Sequence, residues 1–392
     1  MRKACYFFFA FIYVFVGGAC FSADLLGLYE EAKVQDATFS AAKADFIASQ
    51  EVLPQSKAHL QPEATFQADS SWNRIDFQAK AGGDFVNDYG DHRAGVTVTQ
   101  PLYRPQSSIA VSQARTLTRI AEVKLRNAEQ DLILAVANRY FLILQKSANL
   151  SAVIAEKTAV AEQLEQAKRN FLVGTATVTD QREAQARFDL VLAQELEAEN
   201  QLEVAKSQLS VLLGRKLIAE LKTVILPVDL PTPAPNDVDL WIRQAYESNL
   251  LVSIARHELG VAQQEVLRQG AENKPTLDAI GSHVFSDQGF SSFGKYSAQS
   301  TTLGLRLNLP LYKGGAINSR IREAVALQER YRQNLEAARR RSAQKTTEMF
   351  LGVTSGLARV SALEQAVASS QLQLESTKLG QEVGVRTAVD VL

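Results

Sequence analysis

The side chains able to do chemistry are few and far apart. The four histidines, His59, His92, His257 and His283, show no His-x-x-x-His metal spacing. The sequence holds no Gly-rich phosphate loop and no nucleophile elbow. Carboxylates are plentiful, but they stand beside Lys and Arg on helical faces, the pattern of solvated surface. This inventory argues against an enzyme, and neither a cofactor nor a metal is expected. What remains is electrostatic chemistry at two places where helical runs reverse. Asp180 follows Gly174 by six residues, and Asp390 follows Gly384 by six. An Asp after a turn suits a helix cap. Three copies of Asp390 around a narrow axis would form a carboxylate ring, which binds or selects cations and repels itself when crowded. Both readings can hold.

The turns themselves carry a second signal. Glycine takes a positive φ at little cost, so Gly174 and Gly384 mark points where the chain can reverse. Val173, Gly174, Thr175 and Thr177 on one turn, and Val383, Gly384 and Thr387 on the other, are small. At an exposed helix end they leave a groove that another helical hairpin can enter. Plain turn chemistry would explain the glycines alone; the duplication favours docking.

Those turns are held by long helices. From Ser107 to about Phe171 there is neither Pro nor Gly, which predicts a helix on the order of 100 Å long at about 1.5 Å per residue. Ala114, Leu117, Ala121, Leu125, Ala128, Leu132 and Ala135 form a heptad-like seam along it. A return helix is expected from about Val178 to Leu213, with Leu202, Ala205, Leu209 and Leu212 at the same spacing. Ahead of these helices, residues Leu25 to about Leu60 read as one helix kinked at Pro54. Period-two alternation over Glu63–Trp72, Gly95–Leu102, Thr276–Phe285 and Thr301–Leu311 predicts four strands, long enough to cross a bilayer at a tilt. The Gly-, Asp- and Ser-rich stretches 73–93 and 286–300 read as loops. Aromatics gather around the strands, among them Phe66, Trp72, Tyr103, Phe285, Tyr296 and Tyr312, as interfacial girdles or loop packing.

The chain of 392 residues is a sequence used twice. At an offset of 213, Ala32 meets Ala245, Ser40 meets Ser253 and Pro62 meets Pro275. At 209, Pro101-Leu102-Tyr103 meets Pro310-Leu311-Tyr312, and at 210, Val173-Gly174 meets Val383-Gly384 and Asp180 meets Asp390. Such a long period signals a duplicated architecture. Residues 24–214 form the first repeat, 215–237 a Pro-rich linker, and 238–392 the second repeat. By this symmetry roughly thirty residues of a final return helix have no second copy, and the second repeat is expected to be cut short.

Residues 1–23 have the layout of a secretory signal: Arg2 and Lys3, an apolar run from Ala4 to Val16, then small residues to Ala23. Lipid attachment at Cys20 is the lesser alternative. Both cysteines fall in this segment, so cleavage after Ala23 leaves a mature chain without thiols. Its 40 basic residues, once Arg2 and Lys3 are gone, face 43 acidic ones. That balance supplies no basic face for nucleic acid. Mean hydropathy is -0.10, too polar for a bundle of membrane helices. Four strands cannot close a barrel alone, since about eight is the usual minimum and open edges are not tolerated in lipid. Three copies would supply twelve.

The mature chain resembles the TolC-like outer-membrane efflux family, in the branch serving type I protein secretion and multidrug export. The resemblance is carried by Leu25-Leu26-Gly27-Leu28-Tyr29, Leu60-Gln61-Pro62, Gln100-Pro101-Leu102-Tyr103 and Leu309-Pro310-Leu311-Tyr312. It is carried further by the paired turns Phe171–Asp180 and Val383–Leu392. It implies a homotrimer with a twelve-stranded β-barrel in the outer membrane and a long α-helical barrel through the periplasm, with the Pro-rich segment in an equatorial belt. It implies a periplasmic adaptor and an inner-membrane ABC or RND transporter as partners, with the adaptor's hairpin docking at the duplicated turns. It also implies a periplasmic gate, with an acidic ring at Asp390 and Arg386 bonding across to Thr179 and Asp180. The family's tip tyrosine position is Gln381 here. A periplasmic coiled-coil adaptor or structural protein is the competing reading; it would need a lipoyl-like β domain and a single hairpin.

Overall fold

The computed structural model describes residues 24–78, 82–83, 85–218, 220–224, 230–289, 294–383 and 385. The expected signal segment and its cysteines lie outside them. The described elements are α1 (Leu25–Gln35), α2 (Ala37–Gln50), α3 (Val52–Ala58), β1 (Glu63–Phe77), β2 (Phe85–Tyr103), α4 (Pro105–Leu172) and α5 (Val178–Leu213). They continue with α6 (Val238–Ser248), α7 (Leu250–Gly270), β3 (Thr276–Gln288), β4 (Tyr296–Asn308) and α8 (Ala316–Glu382). The long helix and its return helix begin and end within two residues of their expected bounds.

The leading helix is not one kinked rod. It breaks twice, at Asp36 and at Glu51. Asp36 leaves the helical region, and its carboxylate accepts from the Phe39 N–H at 2.6 Å to cap α2. Asn249, which is Asp36 advanced by 213, does the same between α6 and α7, accepting from the Val252 N–H at 3.1 Å. The second break has a proline cause. Pro54 would set its ring against the carbonyl four residues earlier, that of Gln50, where α2 ends. It sits instead in the first turn of α3, where its missing N–H matters little. Leu267 stands at the corresponding position of the second repeat, and α7 runs through unbroken.

The strands outrun their expected bounds. β1 continues to Phe77 and β2 starts at Phe85, so most of the stretch read as a loop over 73–93 is ladder. The same holds for Ser286–Gln288 and Tyr296–Ser300. Turn-rich composition misled here because strand stability is set by cross-strand partners more than by intrinsic preference. β4 stops earlier than expected, at Asn308, just short of Pro310, which has no N–H to give a ladder. The sheet order is β1-β2-β3-β4, antiparallel throughout. Glu63 pairs with Thr99, and Thr276 with Asn308. Advancing β1 by 213 and β2 by 209 carries the first pair onto the second, so the two hairpins share one register.

The chain divides into two compact units. One draws on residues 1–40, 130–230 and 363–392, the other on 41–129 and 231–362. In the first unit the expected α5 seam is buried at Leu202, Ala205, Leu209 and Leu212, and Leu28 and Ala32 of α1 are buried with it. A fully buried Leu such as Leu209 contributes on the order of 1.5–3 kcal/mol. Lys157 of α4 binds the carboxylate of Glu195 on α5, a residue only 8% exposed. Arg215, just past α5, grips Glu31 of α1 through two hydrogen bonds.

In the second unit Val252, Ala255 and Leu335 form a small core between α7 and α8. The α4 seam differs from expectation. Ala114 and Leu132 are buried, but Leu117 is 40% exposed, and Val111, Ile120, Val123 and Val136 are buried instead. The helix carries more than one apolar stripe, and spacing alone does not say which one the chain covers with its own residues.

Candidate functional site

The reversal between α4 and α5 is built from two interlocking motifs. At the α4 end the Val173 N–H donates to the Arg169 carbonyl at 3.1 Å and the Gly174 N–H to Phe171 at 3.1 Å. The Thr175 N–H reaches back five residues to Asn170 at 2.9 Å. This is a Schellman closure, and it needs a left-handed residue, supplied by Gly174 at φ 78°. At the α5 end Thr177 is the N-cap. Its hydroxyl oxygen accepts from the Asp180 N–H at 3.2 Å, while the Asp180 carboxylate accepts from the Thr177 N–H at 2.8 Å. That reciprocal pair is a capping box. The expected cap role of Asp180 is thus corrected: Thr177 occupies the cap, and Asp180 is the acidic partner three residues on. Hydrogen bonds from the Thr177 backbone, then from its hydroxyl, hold the Asp180 carboxyl below the usual carboxylate range.

The turn is stiff in its backbone and open on its surface. Val173, Gly174, Thr175, Thr177, Thr179 and Asp180 are all exposed. So are Phe171, Leu172 and Val178, with Leu172 at 81%. The second turn begins in the same way. The Val383 N–H donates to Leu379 at 3.1 Å and the Val385 N–H to Gly380 at 2.9 Å, the bonds of Val173 and Thr175 advanced by 210. Val383 and Val385 are exposed as well. Gly384, Arg386, Thr387 and Asp390 lie outside the described residues, and so does the side chain of Gln381.

The sheet presents the other functional surface. One face carries Phe66, Trp72, Val96, Val98, Phe285, Leu303, Leu305 and Leu307, all exposed, and the register sets them side by side. Polar groups on this face are paired across strands: Ser70 with His92 at 2.9 Å, and His283 with Thr301 at 2.8 Å. These two pairs are one position of the repeat with the hydroxyl and the imidazole on exchanged strands. Where β2 meets α4, the Arg104 guanidinium makes two hydrogen bonds, at 2.9 and 3.0 Å, to the buried carboxylate of Asp278 on β3. Sequence reasoning missed this clasp. Its one signal was a cation at both Arg104 and Lys313 directly after the repeated Pro-Leu-Tyr.

An apolar sheet face one residue in two, on a chain whose other elements are helices, two of them 68 and 67 residues long, defines a class: a protomer of an outer-membrane β-barrel channel with a helical extension. No described helix is long and apolar enough to cross a membrane. The comparisons with known proteins agree. The model of the outer membrane efflux protein family matches residues 28–215 and 241–392. Outer membrane protein TolC of Vibrio cholerae serotype O1 is 31% identical over 382 residues, covering 96% of this chain and 85% of its own. The proteases secretion protein PrtF of Dickeya chrysanthemi is 27% identical over 384 residues, covering 96% of this chain and 82% of that one. The solved structure of the outer membrane protein VceC from Vibrio cholerae superposes with a TM-score of 0.75 at 21% identity, over 94% of this chain and 88% of that one.

The chain belongs to the outer membrane efflux protein family. It lies in the outer membrane and is an exit duct there for exported proteins or drugs. Members of this family are channels rather than enzymes. The reading as a periplasmic adaptor is set aside with that assignment.

Proposed function

We propose that three copies of the chain assemble into one duct and that the duplicated helix turns are its periplasmic working end. Four strands per chain make a twelve-stranded barrel when three sheets join, which removes the open edges that lipid does not tolerate. The turns receive a helical hairpin of a periplasmic adaptor, which links the duct to an inner-membrane ABC or RND transporter. Val173, Gly174, Thr175 and Thr177 form one docking turn, and Val383, Gly384 and Thr387 the other. The observation that carries this reading is an exposed apolar turn locked by its own hydrogen bonds, two of whose closing bonds recur at Val383 and Val385. A surface held rigid while remaining uncovered suits a partner.

The gate is the finer part of the proposal. The Asp180 carboxylate spends one oxygen, Oδ2, on Thr177, and Oδ1 has no partner among the described residues. A guanidinium from Arg386 can take that oxygen without dissolving the cap, with Thr179 beside it, and an Arg–carboxylate bond is strong for its size. Three copies of Asp390 then constrict the entrance. Single-channel conductance in planar bilayers tests this. Arg386→Ala or Asp180→Ala raises conductance, and Asp390→Ala abolishes block by a trivalent cation. Unchanged conductance in both latch variants would sink the gate.

A further inference from the structure

The shared register of the two hairpins determines how one copy must meet the next. The junction inside the chain, between β2 and β3, pairs Thr97 with Ser282 and Val96 with His283. A second junction of the same kind would join β4 to the β1 of another copy. Advancing Thr97 by 209 gives Arg306, and withdrawing Ser282 by 213 gives Asp69. Both shifts are those that superpose the hairpins.

We infer that β4 of one copy pairs antiparallel with β1 of the next in a single register, setting Arg306 opposite Asp69 as an ion pair between copies. The pairing rests on the homotrimer proposed above and adds to it a register and a pair of residues. Three observations support it. First, β1 and β4 are the outer strands of the sheet and have unpaired outer edges among the described residues. Second, the derived register keeps the faces together. Leu303 falls opposite Trp72 and Leu307 opposite Ala68, continuing the apolar face, while Asn308 falls opposite Gln67 on the other. A slip of one residue would set Leu305 opposite Asp69 or Ser71 and turn one strand's apolar side chains against the other's polar ones. Third, the charges match where the symmetry places them. Asp69 and Arg306 are both exposed and make no ion pair among the described residues. At the internal junction the same position holds two neutral hydroxyls, Thr97 and Ser282. An opposite-charge pair directly across a ladder is favourable, and like charges are not. Inside the chain the ladders set Asp69 opposite Arg93 and Arg306 opposite Asp278; of the two junctions compared at this position, the one between copies sets opposite charges together and so fixes the register there. The pair lies on the face opposite the leucines, and three such pairs would ring the interior of the barrel.

Cysteine cross-linking tests the register. Both native cysteines fall in residues 1–23, so the mature background is free of thiols. Gly304 has open space where a Cβ would go, and the register sets it opposite Ser71. Directly opposed strand residues lie about 4.5–5.5 Å apart at Cα, within disulfide range. The double variant Gly304→Cys with Ser71→Cys, oxidised in native outer membranes, is expected to give linked dimers and trimers on non-reducing gels. Gly304→Cys with Asp69→Cys or Asn73→Cys, each displaced by two residues, is expected to give at least fivefold less. Linkage favouring a displaced pair overturns the register, as does no linkage in protein that an amine-reactive reagent still captures as trimers. If that reagent captures no oligomer, the homotrimer itself fails. Asp69→Arg should lower the trimer fraction severalfold, and adding Arg306→Asp should restore it. A double variant no better than the single one removes the ion pair while leaving the strand pairing to the cross-links.

Discussion

Gly174→Ala separates a docking turn from a mere turn. Gly174 holds φ at 78°, a region that costs an alanine about 1–2 kcal/mol. A Cβ there meets nothing within 4 Å, so the whole penalty is backbone strain and none of it is collision. Part is returned, because alanine also restricts the opened chain, by about 0.4–1 kcal/mol. The net loss is about 1 kcal/mol, or about fivefold in the opening equilibrium of the turn. Asparagine tolerates the left-handed region, so Gly174→Asn should open less than twofold more. Hydrogen exchange at the Gly174 and Thr175 amides, which close the α4 end, reads this directly. Equal exchange in the two variants would refute the strain argument. Adaptor binding measured on the same samples then decides the function. Apparent affinity scales with the fraction of turns that stay closed, so docking on the preformed turn predicts that alanine weakens binding by the closed fraction that exchange shows it loses, at most about fivefold, and that asparagine does not. If the closed fraction falls and binding does not fall with it, Gly174 is turn chemistry alone.

Three further outcomes follow from the packing and the charges. Leu209 is fully buried on α5, so Leu209→Ala should destabilise by about 2–5 kcal/mol in thermal melts followed by circular dichroism. Val211→Ala, at a position 72% exposed, should stay within about 0.5 kcal/mol. Leu305, on the apolar sheet face, should lose about 2–4 kcal/mol as Leu305→Arg in urea unfolding from lipid vesicles if that face meets the bilayer midplane; Thr302→Gln, on the other face of β4, should unfold more nearly like the wild type. Glu265 is held at about 2 by hydrogen bonds from Arg268, Gln113 and Gln269, against burial that pushes it up. A depressed folded value stabilises the protein fully above about 4.5 and loses that contribution as pH falls towards about 2. The gap is worth ~3 kcal/mol at 1.36 per pKa unit, or ~1–3 after partial solvent screening. Glu265→Gln should flatten the stability profile over that window, and an unchanged acid limb would contradict the assignment.

The long elements were legible because their signals are redundant. A stretch without Pro or Gly from Ser107 to Phe171 admits hardly anything but helix, and the α5 seam at Leu202, Ala205, Leu209 and Leu212 is buried as its spacing requires. Single-residue events were less legible. The break at Asp36 depends on one side chain choosing to cap, a choice that Asp can equally decline within a helix. The strands extended through turn-like residues because each found a partner across the ladder, and no local window contains the partner. The clasp of Arg104 on Asp278 spans 174 positions, beyond any motif. In the turn, the glycine and the cap were readable from residue type, but the assignment of cap to Thr177 rather than Asp180 rested on which oxygen faced which N–H.

The places where the two repeats disagree carry the most information about assembly. Advancing Arg104 by 209 gives Lys313, and withdrawing Asp278 by 213 gives Thr65. The bidentate clasp inside the chain therefore has no acidic counterpart at the same level of the junction between copies. The reverse holds further along the strand, where Thr97 and Ser282 inside the chain correspond to Arg306 and Asp69 between chains. A junction within one chain forms at high effective concentration and needs no charge to find its register, only a lock where strand becomes helix. A junction between chains must select its neighbour from other exposed edges, and unpaired edges are the standard route to misassembly. Placing the charge pair on the proposed interface, at a height where the internal junction is neutral, fixes the register of β4 on β1 and disfavours pairing of two β4 edges or two β1 edges, which would bring like charges together. The duplicated halves share a fold because they share a core and a register. They differ where one junction must only hold and the other must also discriminate.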